Sequence, residues 1–280
     1  MLTTGKEGTF KIFNALTQTC VRSVAAHTAS ISKAIWSGEN YIYTCSQDKL
    51  IRVWKEDGTN ISTLRGHHAH WINTMSLNSE FLLRTGPFDE KKIEFNSFSD
   101  KVEYSFKRYH KFKESMRMST ENNINITSGI IDRIVTGSDD FTLLLWEPIS
   151  SPEKYIAQMT GHQGLVNHVQ FSPDNLFIAS ASFDKCIKMW NGYTGAFLYN
   201  LRGHIAPVYQ IAWSADSKYL LSGSKDSTLK VWNIKSDKKD KSCRHDLPGH
   251  ADEVYCVDWS PDGLKAASGS KDKRVNIWKN

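Results

Sequence analysis

Five stretches of the sequence end in tryptophan and share one grammar: TCSQDKLIRVW at Trp54, TGSDDFTLLLW at Trp146, SASFDKCIKMW at Trp190, SGSKDSTLKVW at Trp232 and SGSKDKRVNIW at Trp278. Trp190, Trp232 and Trp278 are 42 and 46 residues apart, and each copy is preceded by a Gly-His or Ala-His pair. A period of this length marks a small unit that cannot bury its apolar face alone and stacks on its neighbours. Within the period, VNHVQF (166–171), VYQIAW (208–213) and VYCVDW (254–259) are rich in β-formers, and each stops at a Ser-Pro-Asp or Ser-Ala-Asp turn. The chain is therefore predicted to be all-β, built from four-stranded antiparallel units.

This pattern resembles the WD-repeat β-propeller, whose blades recur every ~40–45 residues. In four units a histidine lies 21 or 22 residues before an aspartate, with Ser or Thr four before that aspartate and Trp six after it. The fifth unit keeps all but the first spacing. The sets are His27, Thr44, Asp48 and Trp54; His67, Thr136, Asp140 and Trp146; His162, Ser180, Asp184 and Trp190; His204, Ser222, Asp226 and Trp232; and His250, Ser268, Asp272 and Trp278. The resemblance implies that each set forms a buried chain running from indole N–H to hydroxyl to imidazole to carboxylate. An unpaired member of such a chain costs ~1–3 kcal/mol. A Ser/His/Asp grouping also suits nucleophilic catalysis, but five repetitions on inward-facing strand positions argue for structure, and no enzyme is expected. No copy carries the Trp-Asp dipeptide: Lys55, Glu147, Asn191, Asn233 and Lys279 follow the tryptophans. That position lies at a strand end, outside the buried set.

The opening MLTTGKEGTFKIF reads as strand, turn, strand. In the repeat register Thr3, Glu7 and Phe13 take the hydroxyl, carboxylate and tryptophan places of a degenerate set. Residues 1–25 are thus expected to be a partial blade and 26–280 five complete repeats, the C-terminal part of a larger propeller. The last blade then lacks its outer strand, which residues 20–26 or the opening hairpin either replace or leave as an open edge. The second complete blade is stretched, with 73 residues from His67 to Asp140. WINTMSL (71–77) reads as its inner strand, FLLRTGPF (81–88) begins like the next strand, and an insertion occupies about 88–130. There Lys107, Arg108, Lys111 and Lys113 mix with Tyr104, Phe106, Tyr109 and Phe112, a composition suited to RNA contact through phosphate neutralisation and base stacking. A solvated, partly helical excursion is the plainer reading.

Composition narrows the function. The net charge of +5 leans only weakly towards anionic partners. No apolar run approaches the ~20 residues of a membrane span, and the N-terminus lacks a signal-peptide pattern, so an intracellular protein is expected. Cys20, Cys45, Cys186, Cys243 and Cys256 include no C-x-x-C pair and read as reduced structural thiols. His67, His68 and His70 hint at a metal cluster, but His67 is already taken by its set. Gly223 to Thr228 lacks phosphate-loop spacing. No cofactor, metal or small-molecule substrate is expected.

GHHAHWINTMSLNSEFLLRTGPF, RIVTGSDDFTLLLWEP, GHQGLVNHVQFSPDNLFIASASFDKCIKMWNG, RGHIAPVYQIAWSADSKYLLSGSKDSTLKVWN and LPGHADEVYCVDWSPDGLKAASGSKDKRVNIW resemble the Notchless-type WD-repeat proteins of large-ribosomal-subunit assembly. The phrase LLRTGPF and the place of the stretched blade are its most specific features. The resemblance implies an eight-bladed ring on pre-60S particles in the nucleus and nucleolus, with ribosomal proteins and rRNA as partners. It also implies a midasin-type AAA ATPase engaged through an N-terminal ubiquitin-like domain that this sequence does not contain. The competing reading is a generic adaptor, such as a ubiquitin-ligase substrate receptor or a signalling scaffold. In the family the partner-facing rim is built from residues three and five after the blade histidine and the residue before the aspartate. This points to His70, Phe183, Tyr209, Lys225, Tyr255 and Lys271, with Ser30, Ser32, Gln47, Ile72, Asp139, Leu165, Asn167, Pro207 and Glu253 completing the set. The basic stretch 235–245 reads as a solvated loop.

Overall fold

The computed structural model describes residues 1–65, 67–89, 93–121, 132–234 and 243–279. It contains six antiparallel sheets. The first comprises β1 (Leu2–Thr4), β2 (Thr9–Phe13) and β3 (Cys20–Ala25). The second comprises β4 (Ile31–Trp36), β5 (Tyr41–Ser46), β6 (Ile51–Lys55) and β7 (Asn60–Leu64). In the third, β8 (Ile72–Leu77) is followed by two helices, α1 (Glu80–Thr85) and α2 (Phe98–Glu121), before β9 (Ile134–Ser138), β10 (Leu143–Trp146) and β11 (Tyr155–Met159). The fourth holds β12 (Val166–Phe171), β13 (Phe177–Ser182), β14 (Ile187–Asn191) and β15 (Phe197–Leu201). The fifth holds β16 (Val208–Trp213), β17 (Tyr219–Ser224), β18 (Thr228–Asn233) and β19 (Cys243–Pro248), and the sixth β20 (Val254–Trp259), β21 (Lys265–Ser270) and β22 (Val275–Lys279). The first strand of each four-stranded sheet packs on the first strand of the next, which is the inner wall of a propeller.

The core lies between sheets. One face of each sheet meets the tryptophan-bearing face of its successor: Phe10 and Ile12 meet Ile42 and Trp54, and Leu143 and Leu145 meet Val166, Val169 and Trp190. Strand alternation makes both faces apolar, so a single unit cannot be stable alone. The sheets come close enough that a Cβ on Gly137 would sit 2.6 Å from Cγ1 of Val166. At the turn after β5, β9, β13, β17 and β21, the residue following the aspartate (Lys49, Phe141, Lys185, Ser227 or Lys273) has φ between 63° and 69°. The aspartate stabilises this left-handed position by accepting the amide two residues on, for example Leu50 N to Asp48 at 3.0 Å.

Phe81-Leu82-Leu83 does not start a strand. It lies in α1, which has Glu80 in its first turn and ends at Gly86, where φ is 56°. The excursion therefore leaves the sheet at Glu80, ahead of residue 88. Residues 20–25 pair with β2, so they do not complete the last sheet; β22 pairs only with β21 among the described residues. Most of the basic stretch 235–245 lies outside the described residues.

The helices tie the propeller together. From α1, Glu80 bonds Lys33 of β4 at 2.9 Å and Arg84 bonds Asp258 of β20 at 2.7 Å, so a short helix bridges inner strands of the second and sixth sheets. In α2, Ser97 and Asp100 form a reciprocal cap, each accepting the other's amide at 3.1 Å. Its inner face is seated by Tyr104 on Asp89, Tyr109 on Glu39, Arg108 on the Phe88 carbonyl and buried Met116. No described helix is long and apolar enough to cross a membrane.

Candidate partner-binding rim

Each repeat builds its site from the turn upward. In the second sheet, Trp54 Nε1 donates to Thr44 Oγ1 (2.9 Å), Thr44 donates to His27 Nε2 (2.8 Å), and His27 Nδ1 donates to Asp48 Oδ2 (2.8 Å). This direction uses every donor and acceptor once and fixes the imidazole tautomer. The fourth, fifth and sixth sheets repeat it through His162, His204 and His250, with all nine bonds between 2.7 and 2.9 Å. The hydroxyls of Thr44, Thr136, Ser180, Ser222 and Ser268 are buried and held on both sides. Such a hydroxyl is a structural relay with no access for a substrate. Burial opposes ionisation of Asp184, yet the hydrogen bond from His162 and backbone amides bring its carboxyl down to about 2. Burial lowers the pKa of His162 and His27 despite their carboxylate partners.

In the stretched repeat the assignment of His67 is wrong. His68 fills the place, with Nε2 2.9 Å from Thr136 Oγ1 and Nδ1 3.0 Å from Asp140. His67 points outward, bonding the Glu153 carbonyl and lying edge-on to Trp146 and Tyr155. The physical reason is reach: only the second histidine of Gly-His-His can span both the buried hydroxyl and the turn carboxylate. The corrected spacing moves the rim positions by one, to Trp71 and Asn73. Ile72 is fully buried, whereas Trp71 is exposed beside the half-exposed His70.

The rim is rigid for a reason written into the backbone. In each repeat the amide before the aspartate donates to the carbonyl three after the histidine: Gln47 to Ser30, Asp139 to Trp71, Phe183 to Leu165, Lys225 to Pro207 and Lys271 to Glu253, all at 2.9–3.1 Å. Side chains five after the histidine then bond across to the next sheet: Ser32 to the Ile72 carbonyl, Asn73 to that of Val166, Asn167 to that of Tyr209. On this frame the Phe183 and Tyr209 rings lie 5.8 Å apart and those of Tyr209 and Tyr255 5.4 Å apart. Tyr209 donates to Glu253 at 2.8 Å, and burial and that carboxylate push its hydroxyl up to about 12. Lys225 and Lys271 approach the same Glu253 at 3.6 and 3.8 Å. Three aromatics and two lysines on neighbouring sheets thus share one surface, while His70 and Trp71 sit on the third sheet.

The insertion places its cations on two sides. Arg108 and Lys113 turn inward, to the Gly86 and Phe88 carbonyls and to Glu39. Lys107 is exposed and pairs with Glu103, and Lys111 is exposed. Among the described residues no group of His, Cys, Asp and Glu is arranged to hold a metal ion.

These features define a WD-repeat protein, and the WD domain, G-beta repeat family matches residues 18–55, 153–191, 195–233 and 241–279. The chain belongs to that family. Within it the chain is similar to Ribosome assembly protein 4 of Saccharomyces cerevisiae, 43% identical over 200 residues, which is 71% of this chain and 36% of that protein. It is also similar to the Notchless protein homolog of Arabidopsis thaliana, at 46% over 70% of this chain and 38% of that protein. Protein Notchless of Drosophila melanogaster is 40% identical over 60% of this chain and 32% of its own length. The chain spans about a third of the length of these relatives.

Proposed function

We propose that this chain is a non-enzymatic WD-repeat scaffold of ribosome assembly that binds precursors of the large subunit in the nucleus and nucleolus. The similarity to Ribosome assembly protein 4 and the Notchless proteins over 60–71% of the chain carries this reading. The rim supports it: exposed Phe183 and Tyr255 beside half-buried Tyr209, with flanking lysines on a hydrogen-bonded frame, are typical anchors of a protein interface. The relay hydroxyls speak against a nucleophile, since each is buried and already bonded. Ribosomal proteins are the expected rim partners, with rRNA beside them.

The test is sedimentation of tagged 280-residue chain with large-subunit precursor particles, wild type against a Tyr209→Ala/Tyr255→Ala variant. Co-sedimentation that drops on loss of the two rings is the expected result. Binding to a ubiquitin-ligase core without any particle association would instead establish the adaptor.

A further inference from the structure

Among the described residues, nothing on the outer side of α2 seats the helix. Phe98, Val102 and Phe106 are 80%, 38% and 60% exposed, and their spacing of four places them along one edge of the helix. The cations that suggested RNA are arranged differently. Arg108 is held by the Gly86 and Phe88 carbonyls within the excursion, Lys113 by Glu39 of the second sheet, and half-buried Lys101 lies over the Phe88 ring. The exposed charges of Phe98–Met116 are Asp100, Glu103 and Glu114 against Lys107 and Lys111, a net of −1 with His110 neutral, or zero with Lys101 counted. A phosphate backbone is bound by net positive charge. An apolar row at i, i+4 and i+8 on a helix is what an apolar groove of another protein accepts.

We infer that α2 is a protein-docking element, whose Phe98, Val102 and Phe106 enter an apolar groove on a protein of the large-subunit precursor particle. This rests on the assembly reading. The helix comes preorganised, since Tyr104, Arg108, Tyr109, Lys113 and Met116 hold its other face, so docking requires no folding of the segment. The near-neutral exposed face suits a groove with a mixed polar rim and makes the contact insensitive to salt.

The test measures binding of the full chain to purified precursor particles at two salt concentrations, for wild type, Phe106→Asp, Phe106→Gln and Lys107→Ala/Lys111→Ala. The Phe106 side chain faces solvent, so each variant should keep the wild-type melting temperature; the glutamine variant serves if the aspartate one does not fold. The expected result is a loss on the order of tenfold or more for either Phe106 variant at both salts, with the lysine variant within about twofold of wild type. Wild-type affinity in both Phe106 variants overturns the inference while leaving the assembly reading intact. A salt-dependent loss confined to the lysine variant assigns the helix to RNA and also overturns it. A free chain that is dimeric as wild type and monomeric with the Phe106 substitution assigns the stripe to a second copy, again against the inference. Absence of wild-type binding removes the assembly reading and this inference with it.

Discussion

His68, not its neighbour His67, closes the hydrogen-bonded chain of the stretched repeat: its Nε2 lies 2.9 Å from Oγ1 of Thr136 across 68 residues of sequence. The bond holds the inner loop to a strand that follows both helices, so the insertion leaves the repeat's geometry intact. Replacing His68 by alanine leaves buried Thr136 and half-buried Asp140 without their histidine partner and is expected to cost about 2–4 kcal/mol. His67→Ala removes an exposed hydrogen bond to the Glu153 carbonyl and edge contacts with Trp146 and Tyr155, and is expected to cost about 0.5 kcal/mol. Urea unfolding of the two variants checks this, and equal losses would refute the assignment.

Stability should fall as the solution is acidified from about pH 6.5. Burial lowers the pKa of His27 and His162, and brings that of His168 down to about 3. Below the unfolded value of about 6.5 the unfolded chain takes up protons that these folded histidines refuse, so protonation favours unfolding. Each contributes a slope of up to about 1.4 kcal/mol per pH unit in that window and none above it. Asp184, at about 2 when folded, adds stability that is present above about pH 4 and lost as the pH falls towards 2. Urea midpoints measured between pH 7.5 and 5 are expected to decline, and His168→Gln should flatten the slope. A midpoint constant over this range would contradict the account.

Val275 and Ile277 on β22 are 73% and 68% exposed, whereas Leu143 and Leu145, at the same positions in the third sheet, are fully buried against the fourth. With the edge of β22 unpaired among the described residues, this face favours association between chains. Val275→Thr/Ile277→Lys is therefore expected to lower self-association in light scattering without lowering the melting temperature. An unchanged scattering profile would remove the β22 face from consideration.

Gly137 faces the fourth sheet without room for a side chain. Gly137→Ala forces Val166 to shift by several tenths of an ångström and is expected to cost about 1–3 kcal/mol. Gly263→Ala meets no atom within 4 Å but strains a residue at φ 69°, and is expected to cost about 1 kcal/mol. Thermal unfolding of the two variants should rank them in that order.

The repeat grammar was legible because each hydrogen-bonded chain needs particular donors and acceptors at fixed strand positions, and because strand alternation repeats the apolar pattern at every turn. Trp190, Ser180, His162 and Asp184 could be joined on paper for that reason. The rim candidates Phe183, Tyr209 and Tyr255 came instead from the resemblance to WD-repeat proteins, which implies partner-facing positions at fixed steps from the histidine and the aspartate. Tertiary structure alone decided what local pattern leaves degenerate. Two adjacent histidines share one local context, and only the distance to Thr136 separates them. Phe81-Leu82-Leu83 suits a strand or a helix equally until Lys33 and Asp258, far along the chain, hold Glu80 and Arg84. Arg108 and Lys113 are indistinguishable from Lys107 and Lys111 until Glu39 and the carbonyl of Phe88 take up the first pair. Local spacing determines which groups must meet within a repeat; which side of an inserted helix faces the protein depends on partners that only folding brings near.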